Sequence, residues 1–240
     1  MSPSTRTLVL ALPLLAATPS LARAQEKRSD TLLTVEHYLD FEQVGTPRIS
    51  PDGRQVVYTR RYVNKLEDRF DASLWIMNVD GSHNRMLGKG ANAVWSPDGT
   101  RLAYLAEGEP KGTQVFVRYM DAEGATSQIT RTEQTPADIE WSPDGKWIGF
   151  SMFVPAPKMW KIDMPEAPKG SHWTAAPRYE TSLHFKQDRV GFMDPGNRHL
   201  FVVSADGGTP RQLTKGNWSV GSRFDGLDGA VGYDWMPDGR

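Results

Sequence analysis

Short apolar runs with alternating polarity, each cut by a turn, fill most of the chain, and no helical period is sustained over any long stretch. The clearest unit is Trp141-Ser142-Pro143-Asp144-Gly145-Lys146-Trp147-Ile148-Gly149-Phe150. It predicts a strand, a tight turn and a second strand. Pro143 presets φ at the first corner, Asp144 can accept bonds from nearby backbone N–H groups, and Gly145 takes a position of positive φ. After the turn, Ile148 and Phe150 alternate with small Gly149, which suits a strand covered on both faces.

The unit recurs. Ser50-Pro51-Asp52-Gly53, Ser96-Pro97-Asp98-Gly99 and Met236-Pro237-Asp238-Gly239 repeat the turn, and Trp95, Trp141 and Trp235 each stand one residue before it. Val57, Ala103 and Gly149 repeat between the bulky positions Val56 and Tyr58, Leu102 and Tyr104, Ile148 and Phe150. Asp52, Asp98, Asp144 and Asp238 are spaced by 46, 46 and 94 residues. The last gap is two periods, which predicts a degenerate repeat at 186–189 around Asp188. Short strands at this period match β-propeller blades of four strands, whose repeats run about 40–50 residues. The expected fold is therefore all-β, a partial propeller of about four blades and the start of a fifth. It spans 46–240, with outer hairpins at Leu74–Leu87, Val115–Thr130 and Leu200–Thr214. Residues 154–182, with five prolines and Met159, Trp160, Met164 and Trp173, form a Pro-rich excursion from the third blade. Such a segment either wraps a sheet rim or offers a contact surface.

The N-terminus differs in kind. Arg6, the apolar run Leu8 to Ala17 and Ala22-Arg23-Ala24 have the form of a secretory signal cleaved between Ala24 and Gln25. The apolar run is about half of the ~20 residues needed to span a bilayer. Export to the periplasm or the extracellular space is expected, with no membrane attachment after signal removal. Residues 25–45 read as a polar segment followed by a short helix, capped by Thr34, over Val35 to Phe41.

Composition narrows the chemistry. The 240 residues carry a formal charge of −1, and removal of residues 1–24 makes the chain more negative. Without a long basic stretch, nucleic acid is not an expected partner. With no cysteine, disulfides, thiolate catalysis and cysteine zinc sites are excluded. Gly88-Lys89-Gly90-Ala91-Asn92-Ala93 matches a dinucleotide fingerprint in spelling only, because a strand and not a helix follows it. The sequence contains no Gly-x-Ser-x-Gly, and the histidines at 37, 83, 172, 184 and 199 show no metal-ligand spacing. No catalytic, cofactor-binding or metal residue is expected.

The Trp-Ser-Pro-Asp-Gly turns, Leu200-Phe201-Val202-Val203 with Gly207-Gly208-Thr209-Pro210-Arg211-Gln212-Leu213-Thr214, and the Met164-to-Pro177 excursion resemble one family. They are similar to the N-terminal propeller of exported serine peptidases of the prolyl oligopeptidase family, of the acylaminoacyl-peptidase or dipeptidyl-aminopeptidase type. The resemblance covers residues 31–240. It implies that the propeller is truncated before a C-terminal α/β-hydrolase domain of the same protein and limits access of peptides to its Ser, Asp and His. It carries over no catalytic residue, and the chain lacks the Glu-Glu pair with which dipeptidyl peptidases grip a free N-terminus. The rival expectation is a periplasmic protein-binding propeller of the TolB-like kind, which has an α/β domain before its first repeat. A complete small propeller is a third possibility, but its last strand has no evident source in residues 25–45.

Overall fold

The computed structural model describes residues 33–121, 123–157, 164–174, 177–180, 185–188, 190–221 and 232–239. The signal-like segment with Ala24 and Gln25 lies outside the described residues, as do Met159, Trp160 and His184. The chain divides into two compact units, residues 1–38 and 39–240. The described part of the first holds one helical turn, α1 (Val35–Tyr38), with no buried residue. That is shorter than the helix expected to Phe41. Four residues leave no apolar face to bury, and the extended chain begins at Gln43.

Sheet 1 is β1 (Gln43–Ile49), β2 (Gln55–Asn64), β3 (Arg69–Asn78) and β4 (Arg85–Lys89), hydrogen-bonded in that order and antiparallel throughout. Its first strand starts three residues before Thr46, so the repeat begins slightly earlier than the turn spacing suggests. Sheet 2 repeats the plan with β5 (Ala91–Trp95), β6 (Arg101–Gly108), β7 (Gly112–Tyr119) and β8 (Thr126–Gln128). Gly90 alone joins the two sheets, at φ 142°. A Cβ there would fall 2.8 Å from Tyr104 Cδ2 and 2.9 Å from the Leu105 carbonyl, so the close approach requires glycine.

The third sheet departs from expectation. It opens with β9 (Pro136–Trp141) and β10 (Trp147–Pro155). The chain then leaves the sheet over residues 156–195, where β11 (Lys186–Gln187) and β12 (Gly191–Phe192) make a separate two-stranded ribbon. It returns as β13 (Gly196–Ser204) and β14 (Arg211–Gln212), giving the order β9-β10-β13-β14. The β10–β13 ladder runs without a break from Trp147↔Ser204 to Pro155↔Gly196. Leu200 to Thr214 is thus the outer half of the third sheet, not of a fourth. Asp188 lies in the turn of the small ribbon rather than in a degenerate blade turn. The described residues hold three four-stranded sheets and the turn at 236–239, not four blades and the start of a fifth. The doubled gap before Asp238 reflects an insertion into one sheet instead of an extra sheet.

The core lies between sheets. Period-2 alternation sends Leu102 and Tyr104 of β6 toward sheet 1, where they pack with Val57 and Leu74, and with Ala93 of their own sheet. Ala103 and Leu105 face the other way, into a cluster with Val115, Val117, Ile139, Trp141, Ile148, Phe150, Phe201 and Val203. Middle strands also carry matched cross-strand aromatic pairs: Tyr104 and Phe116 stack at 5.8 Å between centroids, Phe150 and Phe201 at 5.6 Å. A sheet of this kind can shield its faces only against a neighbour, as successive propeller blades do.

Candidate functional site

Each sheet opens with the same turn. In the first, the Ser50 N–H donates to Gln55 O (2.8 Å), the Gly53 N–H to Ser50 O (2.9 Å), and the Gln55 N–H to Ser50 Oγ (2.9 Å). Ser50 Oγ–H in turn donates to Asp52 Oδ1 (2.5 Å), which also accepts the Arg54 N–H (3.1 Å). Ser96 with Asp98 and Ser142 with Asp144 repeat the serine–aspartate bond at 2.5 and 2.7 Å. Gly53, Gly99 and Gly145 sit at φ 71°, 72° and 66°. Bonds from the serine hydroxyl, and then from backbone N–H groups, hold the Asp52 and Asp144 carboxyls below the usual carboxylate range, and the Ser96 hydroxyl does the same for Asp98. The turn at Asp238 and Gly239 keeps the Gly239 N–H to Met236 O bond (2.8 Å) and a positive φ of 82°, but Met236 brings no hydroxyl. These carboxylates are occupied inside their own turns and serve to shape the hairpins.

Consecutive turns also touch. A Cβ on Gly99 would lie 3.5 Å from Pro51 Cδ, and one on Gly145 3.8 Å from Pro97 Cδ, so each turn glycine backs onto the preceding proline. Trp95 Nε1–H donates to Arg48 O (3.2 Å) and Trp141 Nε1–H to Val94 O (3.1 Å), both 47 residues back on the preceding inner strand. Arg101 reaches forward to Gly145 O (2.7 Å) with its guanidinium 4.8 Å from the Trp141 ring centroid. Trp235 Nε1 is buried without a hydrogen-bond partner.

The first strand of every sheet carries a bulge that the sequence reading missed. Register slips between Gly45 and Arg48 and between Ala91 and Val94, and again opposite Gly149 and Ser151. Thr46, Asn92 and Asp138 stand there at φ 47°, 54° and 51°. All three lie four residues before the turn serine, and Asn and Asp tolerate that backbone best. The signal was present as a repeated offset. Hydroxyls answer it from the second strand: Thr46 Oγ1 and Thr59 Oγ1 lie 2.9 Å apart, the Asn92 N–H donates to Thr59 Oγ1 (3.1 Å), and Ser151 Oγ–H donates to Asp138 Oδ2 (2.6 Å).

These bulges face a cavity of about 190 Å³ bordered by Thr46, Arg48, Asn92, Asp138, Glu140 and Tyr233. A neighbouring groove of about 290 Å³ runs past Ile49, Pro51, Trp95 and Pro97. Burial raises the Glu140 carboxyl above the usual range; Arg48 works against that shift and Asp234 with it. Tyr233 Oη–H donates to Asp138 O, and burial pushes its phenol upward. The wall sets one cation, Arg48, beside the carboxylates of Asp138 and Glu140. His199, buried in β13, places Nδ1 3.2 Å from Thr214 Oγ1, a hydroxyl that also accepts the Leu200 N–H (2.9 Å). Among the described residues no three His, Asp or Glu side chains gather as metal ligands.

No family model matches the chain. The uncharacterized peptidase YuxL of Bacillus subtilis is 26% identical over 190 residues, which is 76% of this chain and 28% of that protein. Dipeptidyl-peptidase 5 of Porphyromonas endodontalis is 29% identical over 167 residues, 67% of this chain and 24% of that protein. The relatives are peptidases. Of solved structures, an acylaminoacyl peptidase of Pyrococcus horikoshii superposes with a TM-score of 0.56 at 16% identity, over 73% of this chain and 26% of that one. At such identity the likeness is one of fold. The chain spans roughly a quarter of the length of the relatives it matches. Sequence and fold agree on a propeller-type portion of a peptidase-like protein.

Proposed function

We propose that these sheets are the non-catalytic propeller portion of an exported serine peptidase, gating access of peptides to an α/β-hydrolase domain of the same protein. The observation that carries the reading is the pair of peptidase relatives, each matched over only about a quarter of its length. Physical support comes from the bulged inner strands. They turn Thr46, Asn92 and Asp138, with Arg48 and Glu140, toward one shared cavity wall. Gating of this kind is steric, since the sheets are rigid where tryptophans tie each to its predecessor. Export rests on the signal-like residues 1–24, and secreted protein should begin at Gln25 on N-terminal sequencing.

The test compares two proteins on short peptide p-nitroanilides. Residues 25–240 should give no turnover. The whole protein should cleave them, with a Gly-x-Ser-x-Gly serine encoded downstream of residue 240. Turnover by residues 25–240 alone overturns the assignment of roles. A coding sequence without that motif replaces the gate with a purely protein-binding propeller.

A further inference from the structure

The side chains that meet where one sheet seats on the next change size in opposite directions along the chain. At the junction of sheets 1 and 2, Val57 of β2 packs in one cluster with Ala93 of β5. At the next junction the matching residues are Ala103 of β6 and Ile139 of β9, again in one cluster. At the third, Gly149 of β10 meets Tyr233. A Cβ on Gly149 would lie 3.2 Å from Tyr233 Cε2, 3.3 Å from its Oη and 3.3 Å from Trp235 Cζ2. Val57, Ala103 and Gly149 hold the same place in successive sheets, fourth after each turn glycine or its equivalent. Ala93, Ile139 and Tyr233 likewise each stand two residues before the repeated tryptophan. As the receiving side loses methyl groups, the arriving side gains bulk.

We propose that this graded exchange of volume is a key that fixes which inner strand seats on which sheet. The single added carbon of an alanine would fall 3.2 Å from the Tyr233 ring and 3.3 Å from Trp235, so both rings would have to give by a few tenths of an ångström, and the valine of sheet 1 would add two more carbons. The Tyr233 hydroxyl donates to Asp138 O, the backbone carbonyl of the sheet 3 bulge residue. The three arriving segments, β5, β9 and 232–239, all carry a tryptophan just before a Pro-Asp-Gly turn, so those features cannot tell one from another. The knob-and-notch pair can, which makes segment 232–239 a partner for sheet 3 alone. Repeats that seat out of order are a characteristic failure of such arrays, and the key works against it.

The experiment is a mutant cycle in the whole protein, read by thermal melting. Gly149→Ala should lower Tm by about 3–8 °C, the range for overpacking a tight contact in a domain of this size. Tyr233→Ile should lower Tm as well. Both together recreate the Ala103–Ile139 pairing and should recover at least half of the summed loss. Losses that simply add overturn the proposal, as does a Gly149→Ala protein that melts like the parent. Should Gly149→Ala not fold, the reciprocal pair serves. Ile139→Tyr should be poorly tolerated alone and rescued by Ala103→Gly, and the absence of rescue overturns the key equally.

Discussion

Sheets 2 and 3 share a turn, a bulge and a tryptophan bond, yet they join their middle strands in very different ways. β6 and β7 are linked by residues 109–111, whereas β10 and β13 are linked by residues 156–195. The ladders are nevertheless alike, and the aromatic pairs Tyr104–Phe116 and Phe150–Phe201 occupy matching registers. Loop-closure entropy explains the tolerance, because it grows only with the logarithm of length. Lengthening the link this much costs about 2 kcal/mol, which one additional buried aromatic offsets. Sheet pairing is set by what is buried, and chain length between strands is nearly free.

That comparison breaks most sharply at Phe150. Its side chain is fully buried between sheets, so Phe150→Ala should cost about 3–5 kcal/mol in urea unfolding. Phe192→Ala, in the exposed ribbon of the insertion, should stay within about 0.5 kcal/mol. Equal losses would mean that the insertion belongs to the core. Next in size is Trp141→Phe, which leaves Val94 O without its donor and puts a smaller ring beneath Arg101. A loss of about 1–3 kcal/mol is expected, and a larger one than for Trp95→Phe, whose indole is less buried.

Ser142→Ala sharpens the turn's share at about 1 kcal/mol, checked by the same unfolding curves. It also bears on acid stability. The folded Asp144 carboxyl is depressed chiefly by the Ser142 hydroxyl. Its contribution is present above the unfolded value near 4 and is lost as pH falls through the lower folded value. The alanine variant should show a flatter loss of stability below about pH 4. Smallest of all, Glu140→Gln should raise stability slightly at neutral pH. Burial raises that carboxyl in the folded state, so its ionised form is disfavoured there and the neutral amide relieves the cost. Tm at pH 7 reads the effect, and a fall in Tm would show that Arg48 outweighs burial.

The turns and the tryptophans were legible in the sequence because each rests on local chemistry: a proline, an aspartate and a glycine at fixed offsets. Blade number was not legible, since spacing measures chain length and not pairing. Leu200 to Val203 alternates in the same way whichever strand it joins, and only its register with β10 assigns it to sheet 3. Asp188 fell on the period by coincidence of insertion length. The bulges at Thr46, Asn92 and Asp138 were hidden for another reason. Three different residue types fill one backbone conformation, and their repeat shows only when offsets are counted back from the serine. The cavity wall went unread with them.

Gly90 sets a mechanical condition on everything attached to this chain. A single-residue link packed against Tyr104 and the Leu105 carbonyl leaves no slack between the first two sheets. The next link, from β8 into β9, is longer, yet Gln114 pins it through Thr130 and Thr132, so neither junction is a bare hinge.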